Sequence, residues 1–365
     1  MIMLFNRQIG EINLNPLQTG SVLYPDARKA LLEWGDGYSV CDFCMGRLDK
    51  VKKPDIASFV ENELPEFLGC DIARVTNGAR ESMFAVVNSL KRKGGAVRMD
   101  GGAHYTSYLA AERAGMGVEK TDIGEYPEFK IDSKGFAERI DAKKHILAIL
   151  TYPDGNYGNL PEAKKVAAIC RKEGVPLLIN CAYSVGRLLV NMKYIGADFI
   201  VGSGHKSMAS SGPIGVLGMK GEWKEKVLRK SSEYKNKELE LLGCTSRGAT
   251  IMTMMASFPH VKDRIKNWNS EVADAVWFSG RCEKLGLKQL GERPHMHDLL
   301  HFESEPFYEI SQKRKGGAFF LYKELKKKGI TGIKPGMTKK FKVSTFNIGR
   351  ENLQKVVDAF REILS

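Results

Sequence analysis

Short apolar runs and stretches with helical spacing alternate along the first two thirds of the chain. Apolar runs of four to seven residues predict buried strands, and apolar residues three and four apart predict helices. The strands are expected at Ala96–Met99, His145–Thr151, 175–179, 197–201 and 213–219, and the helices at 25–34, 54–68, 104–114 and 161–173. This alternation of strands and helices indicates an α/β fold with a mainly parallel sheet covered by helices.

The pattern changes after about residue 220. Residues 223–237 and a long apolar-faced stretch from Met252 to Trp268 predict helices, with a glycine-flanked segment at 243–248 between them. Beyond residue 285 short strands and helices alternate and end in a helix at 351–364. We therefore divide the chain into residues 1–250, an N-terminal segment and a large domain, and residues 251–365, a connecting helix and a small α+β domain.

Polar or turn residues stand directly after several of the predicted strands. They are Gly78, His104, Asn156, Asn180 and Lys206. In open α/β sheets ligands bind beyond the carboxyl ends of the strands. One shared site at that edge is therefore a better account of these residues than separate accidents.

Lys206 ends the small-residue turn Ser203-Gly204-His205 between two apolar runs. A lysine held between buried strands is partly desolvated, which lowers its pKa and makes its amine nucleophilic. An exposed hairpin loop is the alternative. The turn Asn77-Gly78-Ala79-Arg80 opens a helix, and free N–H groups at such a start bind anions, unless the turn is a plain helix cap.

The charge balance favours a polyanionic partner. The 365 residues include 56 lysines and arginines against 43 acidic residues, a net charge of +13. Many of the basic residues fall between residues 313 and 342, where any single cluster can also be a solvated helix face. No apolar stretch approaches the roughly 18 residues of a membrane span, and the N-terminus does not resemble a signal peptide. We expect a cytoplasmic protein without membrane contact.

Three of the seven cysteines stand apart from the packing cysteines. Cys41 and Cys44 form a Cys-x-x-Cys pair in a loop, and Cys244 lies near Arg247. Such surroundings lower a thiol pKa. The three could also hold an iron–sulfur cluster or zinc, although zinc needs a fourth ligand, or be incidental loop residues.

These motifs together resemble fold-type-I pyridoxal-phosphate (PLP) enzymes, in the branch of the cysteine desulfurases and selenocysteine synthases. The resemblance rests on the Ser203-Gly204-His205-Lys206 turn, the Asn77-to-Arg80 helix start, His104, and Asn180 about 26 positions before the lysine. The cysteines, Arg247, Asn180 and the basic charge further resemble the archaeal O-phosphoseryl-tRNA:cysteinyl-tRNA synthase family. An aspartate aminotransferase-like fold is implied, with a large mixed-sheet domain and a small C-terminal domain.

The resemblance implies that Lys206 bears the cofactor and shuttles the α-proton. It implies cofactor contacts for Ala79, Arg80, His104, Asn156, Asn180, Ser203, Gly204 and His205. Most relatives have aspartate at the position of Asn180, where it keeps the pyridine nitrogen protonated. A neutral amide favours elimination of a good leaving group, such as phosphate, over transamination.

The implied reaction converts phosphoserine on tRNA(Cys) to cysteine, by loss of phosphate and addition of sulfur. Arg80, Arg247 and His104 would bind the phosphate, and Cys41, Cys44 and Cys244 would carry sulfur from a donor that the sequence does not identify. A homodimer with shared sites and a contact with phosphoseryl-tRNA synthetase are expected. The alternatives are a cysteine desulfurase, a selenium-transferring synthase and a catalytically silent tRNA-binding scaffold.

Overall fold

The computed structural model describes residues 11–36, 55–243 and 248–365. Twelve strands lie in this part of the chain: β1 (Ile12–Asn13), β2 (Ile72–Thr76), β3 (Ala96–Met99), β4 (Gly117–Lys120), β5 (His145–Thr151), β6 (Leu177–Asn180), β7 (Phe199–Ser203), β8 (Gly215–Met219), β9 (Lys288–Leu290), β10 (Leu299–Glu303), β11 (Ile330–Thr331) and β12 (Lys340–Ser344). They form a seven-stranded sheet in the order β2-β8-β7-β6-β5-β3-β4, a three-stranded sheet in the order β12-β10-β9, and the pair β1-β11.

Fifteen α-helices lie in the same described ranges: α1 (Pro25–Glu33), α2 (Ile56–Ser58), α3 (Leu64–Leu68), α4 (Ala79–Leu90), α5 (Tyr105–Arg113), α6 (Ser133–Glu138), α7 (Ala163–Lys172), α8 (Met192–Ile195), α9 (Gly204–Ser207), α10 (Lys224–Val227), α11 (Gly248–Arg264), α12 (Trp268–Glu283), α13 (Glu305–Gln312), α14 (Phe320–Lys327) and α15 (Arg350–Leu364). A π-helical turn at Phe59–Glu63 joins α2 to α3, so the helix predicted at 54–68 is confirmed with an irregular middle.

The large sheet is mixed. Strands β3 to β7 pair in parallel, whereas β8 runs antiparallel to both β2 and β7. Because β8 opposes both neighbours, β2 points the same way as β7, and the carboxyl ends of β2, β3, β5, β6 and β7 share one edge. The expected α/β fold with a mixed sheet is confirmed.

Strand β5 shows how the sheet is covered on both faces. All seven of its residues are buried. Ala148 and Leu150 pack into one apolar cluster, and Leu147 and Ile149 pack into another. Since side chains alternate between the faces of a strand, the two clusters lie on opposite sides of the sheet. Burial on both faces explains why β5 reads as a continuous apolar run.

A third apolar cluster lies in the C-terminal part of the chain. It gathers phenylalanines such as Phe278, Phe302 and Phe360 around the three-stranded sheet. Ile12 and Leu14 belong to this cluster, because β1 pairs in parallel with β11. The N-terminal segment therefore packs against residues near the other end of the sequence, which local patterning did not reveal.

The helix predicted at 223–237 is wrong beyond its first turn. Within 223–237 only Lys224–Val227 is α-helical. The following chain turns back, so that Lys230 and Glu238 form an isolated antiparallel β-bridge. Glu238 is buried and accepts hydrogen bonds from the Arg74 guanidinium at 2.9–3.1 Å. A buried carboxylate must be paired, so this tertiary ion pair overrides the local helical preference.

Candidate functional site

Five of the strand-end features predicted from sequence meet at one edge of the large sheet. Gly78 follows β2, His104 follows β3, Asn156 follows β5, Asn180 ends β6, and Lys206 follows β7. Thr151 of β5 pairs with Asn180, and Asn180 pairs with Val201 of β7. The shared edge that the sequence indicated is therefore present in the fold.

Lys206 lies in the short helix α9, half-buried, with its Nζ 5.0 Å from the centroid of the Tyr183 ring. Burial lowers the pKa of its amine, and the positive charges of Arg80 and Arg187 lower that pKa further. No ion pair involves Lys206 within the described ranges. A shielded amine without a counter-ion favours the neutral, nucleophilic form, as the sequence predicted.

The turn before α4 packs closely against the start of β8. Gly78 has φ +113°, a conformation that favours glycine, and a β-carbon on Gly215 would lie 2.5 Å from the Gly78 carbonyl carbon. The first N–H groups of α4, at Ala79 and Arg80, have no acceptor inside the helix. They form a positive helix end suited to an anion.

Ser203 and His205 lie beside this helix start. His205 Nδ1 lies 3.0 Å from the Ile214 carbonyl oxygen and 3.2 Å from the Ile214 nitrogen, so the ring is held by backbone and Nε2 is left for a ligand. The Ser203 hydroxyl lies 3.5 Å from the same Nδ1. Burial lowers the pKa of His205, which keeps the ring neutral near pH 7.

His104 caps α5, with Nδ1 2.8 Å from the Thr106 hydroxyl and accepting the Thr106 N–H at 3.4 Å. Burial lowers its pKa to about 4, and the nearby charges of Lys206, Lys342 and Arg80 contribute. The ring is therefore neutral near pH 7. A neutral ring suits stacking on an aromatic cofactor better than cationic binding of a phosphate.

Asn156 lies beside a cation that the sequence reasoning missed. Lys342, on β12 of the small sheet, donates from Nζ to the Gly155 carbonyl oxygen at 3.0 Å and to Asn156 Oδ1 at 3.3 Å. Burial lowers the Lys342 pKa. Sequence reasoning counted Lys342 among the late basic residues, and the one local signal was its alternation with Phe341 and Val343 in a strand.

Asn180 is buried, and its Oδ1 accepts the Ala182 N–H at 3.3 Å. With the carbonyl oxygen engaged, the amide nitrogen remains as the donor that faces a ligand. This side chain therefore offers a hydrogen bond without a charge, which matches the role proposed from the resemblance.

Two buried aspartates hold the loops of the site, and sequence reasoning missed both. Asp154 accepts backbone N–H groups from Asn156, Tyr157 and Asn159 at 2.8–2.9 Å. Asp100 accepts the Thr151 N–H at 2.7 Å, and burial raises its pKa to about 7. Both residues shape the loops that present His104 and Asn156.

A buried ion pair joins the large sheet to the C-terminal unit. Arg187 Nη1 lies 2.5 Å from Asp298 Oδ2, and both side chains are fully buried. Arg187 also donates to the Pro16 carbonyl oxygen at 2.8 Å, and the Ser344 hydroxyl donates to Asp298 at 2.5 Å. This pair ties the N-terminal segment and both units together next to Lys206.

A cavity of about 890 Å³ opens between these units. Its inner wall includes His104, Asn156, Tyr183 and Lys342. Its outer wall is formed by residues of the N-terminal segment and of the chain from Tyr322 to Met337. A ligand held at the sheet edge can therefore reach solvent through this cavity.

The residues of the site fit pyridoxal phosphate. A half-buried amine that forms no ion pair with a described residue suits its aldehyde, the open start of α4 suits its phosphate, and a neutral imidazole and a buried amide suit its ring. Cys41, Cys44, Cys244 and Arg247 lie outside the described residues, so their predicted roles stay predictions. Within the described ranges no group of three His, Cys, Asp or Glu residues could hold a metal ion.

Comparison with known proteins identifies the family of this chain. The model of a family described as O-phosphoseryl-tRNA(Sec) selenium transferase, SepSecS, matches residues 40–365. An O-phospho-L-seryl-tRNA:Cys-tRNA synthase of Methanosarcina acetivorans is 58% identical over 362 residues, 98% of this chain and 94% of the relative. The synthase of Methanothermobacter thermautotrophicus is 52% identical over 358 residues, 97% of this chain and 95% of the relative.

Solved structures agree as well. SepCysS in its complex with the SepCysE N-terminal domain has a TM-score of 0.91 and 46% identity, over 99% of this chain and 96% of that chain. A cysteine desulfurase from Thermococcus onnurineus has a TM-score of 0.76 and 17% identity, over 96% of this chain and 94% of that chain. At this identity the likeness shows the fold alone.

Among the described residues, we find no helix with the length and apolar character of a membrane span.

Proposed function

Because this chain belongs to the O-phosphoseryl-tRNA(Sec) selenium transferase family, we propose that it is a PLP-dependent transferase that converts O-phosphoseryl-tRNA(Cys) to cysteinyl-tRNA(Cys). The observation that carries the proposal is the 58% identity, over 98% of the chain, with a synthase named for that reaction. The site geometry supports it, since an unpaired amine, an anion-binding helix start and a neutral imidazole meet at one sheet edge. The site lies between the proposed domains, residues 1–250 and 251–365.

The chain's own residues divide the chemistry between them. When bound, PLP withdraws electrons from the substrate α-carbon. We assign to the Lys206 amine both the attachment of the cofactor and the removal of the α-proton, because burial lowers its pKa and makes the neutral amine more available. Asn180 would donate one uncharged hydrogen bond to the ring nitrogen of the bound cofactor, which suits elimination of phosphate rather than transamination.

The departing phosphate needs positive charge. Arg80 is exposed at the start of α4 and lies close enough to lower the pKa values of His104 and Lys206. Arg247 is the second cation proposed for this task, and Lys342, beside Asn156, adds a third candidate. His104, neutral near pH 7, would stack on the bound cofactor and offer a hydrogen bond rather than a charge.

Sulfur delivery is assigned to Cys41, Cys44 and Cys244. A persulfide on one of them adds its terminal sulfur to the β-carbon. A second thiol then displaces the product thiol by forming a disulfide, which an external thiol reduces. An iron–sulfur cluster on the same three residues is the alternative. Single alanine substitutions test whether each cysteine takes part in sulfur transfer. If a substitution leaves cysteine formation undiminished with both sulfide and a protein sulfur donor, the replaced residue has no part in the relay.

We also propose a homodimer that acts in the cytoplasm, where tRNA is aminoacylated, and that contacts phosphoseryl-tRNA synthetase. A second cavity of about 580 Å³ supports the dimer. Arg80 lines it together with Leu239 and Leu242, and the Leu242 side chain is 84% exposed. An exposed apolar residue beside a proposed site residue is suited to contact with a second subunit. A sedimentation measurement on the holoenzyme tests this.

The deciding experiment incubates the holoenzyme with phosphoseryl-tRNA(Cys) and sulfide and measures cysteinyl-tRNA(Cys). Formation of cysteinyl-tRNA(Cys) is expected. Release of sulfide from free cysteine without that product would indicate a desulfurase. Product formation with a selenium donor alone would indicate a selenium transferase. A protein that binds tRNA but shows no visible cofactor absorbance would be a silent scaffold.

A further inference from the structure

We propose that the outer part of the interdomain cavity binds the last nucleotides of an RNA 3′ end. Its wall is formed by Gln18, Tyr322, Lys326, Lys334 and Met337, named here the outer rim. The proposal rests on the tRNA substrate proposed above and adds where that RNA is bound. The amino acid of a charged tRNA is esterified to the terminal nucleoside, so that nucleoside must lie just outside the reacting centre.

The size of the cavity favours a ligand larger than phosphoserine. At about 890 Å³ it lies near the upper end of the roughly 300–1,000 Å³ typical of pockets for drug-sized ligands. His104 and Asn156 occupy its inner end, and the outer rim lies on the small unit and the N-terminal segment. With the cofactor and a phosphoseryl group at the inner end, a nucleotide next to them would occupy the outer part of the cavity.

The charge of the rim favours a phosphate backbone. Of the described residues that line the cavity, none is acidic, whereas Lys326, Lys334 and Lys342 all line it. Neither Lys326 nor Lys334 forms an ion pair with another described residue. Neighbouring lysines do: Lys327 pairs with Glu324 at 2.8 Å, and Lys340 pairs with Glu303 at 3.0 Å. Lys326 and Lys334 therefore line the cavity without a described carboxylate to neutralise them, and each can bind an anion.

The rim also offers surfaces on which a base can stack. Tyr322 is half-buried on α14, and the exposed fraction of the Met337 side chain is 39%. Single-stranded RNA is bound by such a combination, with cations along the backbone and aromatic rings beneath the bases. An acidic protein segment would bind the lysines but would not need an aromatic ring in the cavity wall.

The test uses the holoenzyme and the tetranucleotide ACCA, with 2-aminopurine as its terminal base. Stacking quenches 2-aminopurine fluorescence, so the wild type is expected to quench it on binding. Tyr322→Ala should weaken binding roughly 5- to 150-fold and relieve the quenching, while Tyr322→Phe keeps both. Lys326→Gln/Lys334→Gln should make the slope of log K against log salt less steep by about 1.4, at about 0.7 per cation.

Lys315→Gln/Lys323→Gln is the matched control. It removes the same two charges from the same region, from exposed lysines that do not line the cavity. The rim variants should raise KM for phosphoseryl-tRNA(Cys) about tenfold or more with a smaller change in kcat, and the control should not. The proposal is wrong if rim and control variants behave alike, or if the rim variants weaken free O-phosphoserine binding as much as RNA binding. A wild type that binds ACCA but does not turn over phosphoseryl-tRNA(Cys) would instead overturn the proposed function alone.

Discussion

Removing the charge of Asp298 should destabilise the protein more than almost any other single isosteric change. In the wild type, Arg187 Nη1 lies 2.5 Å from Asp298 Oδ2. Asp298→Asn leaves the Arg187 guanidinium fully buried without this counter-ion. At an effective dielectric constant of about 20, two unit charges at that separation attract by about 6–7 kcal/mol. Part of this attraction is offset because both charges were desolvated on folding, so breaking the pair should cost about 3–5 kcal/mol.

The assay is guanidinium chloride unfolding of the holoenzyme at pH 7. Glu351→Gln is the control, because it removes an exposed helical pair with Lys355 that is worth about 0.3–0.5 kcal/mol. Arg187→Met/Asp298→Asn should be less destabilised than Asp298→Asn, since no buried charge is then left unpaired. A loss below about 1 kcal/mol for Asp298→Asn, or a double variant that is worse than the single one, would refute this reasoning.

The pH dependence provides a second check. The Arg187 guanidinium helps hold the pKa of Asp298 below its ordinary value despite burial. A carboxyl with a depressed folded-state pKa stabilises the fold above its unfolded pKa, near 3.9, and loses that contribution as pH falls through the folded pKa. The difference between wild type and Asp298→Asn should therefore be constant above about pH 5 and shrink below pH 4.

Three further predictions concern the site. Lys206→Ala should lower cysteinyl-tRNA formation roughly 10²- to 10⁴-fold and remove the visible cofactor absorbance. The wild-type rate should rise with pH through the lowered Lys206 pKa, because only the neutral amine takes a proton. A rate that does not change from about pH 6 to 10 would contradict this. Lys342→Met should raise the His104 pKa from about 4 while leaving it below 6.5, since burial is the larger cause; an NMR titration measures this, and Lys340→Met is the control. Asn180→Asp should increase side transamination, measured as keto product released per cysteinyl-tRNA formed, and an unchanged ratio would remove the role given to its neutral amide.

Local patterning was enough for the elements that bury both faces of the sheet. The runs at Ala96–Met99 and His145–Thr151 are strands with those bounds, because most of their residues are apolar and all of them are buried. The turn ending at Lys206 follows a strand for the same reason. Since the polar residues come at the ends of those strands, the edge where they meet could be predicted as well.

Features that depend on distant partners could not be predicted in this way. Lys342 reaches Asn156 only because the small sheet packs over the edge of the large one. The partner of Arg187 lies in a different unit, and nothing in the local sequence of Asp298 marks it as that partner. The error at 223–237 has the same origin, since Arg74 pairs with Glu238 and draws the chain out of a helix.

The pairing of β1 with β11 has a consequence for the order of events on the ribosome. Ile12 and Asn13 emerge early in translation, but the strand they pair with, Ile330–Thr331, is made near the end. The large sheet can assemble while its N-terminal segment still has no place to dock, and such long-range pairings form late. The cavity wall at Gln18 therefore forms only after the small unit has been synthesised. A nascent chain in which the large sheet around Lys206 has already folded would bind its cofactor before it could enclose a substrate.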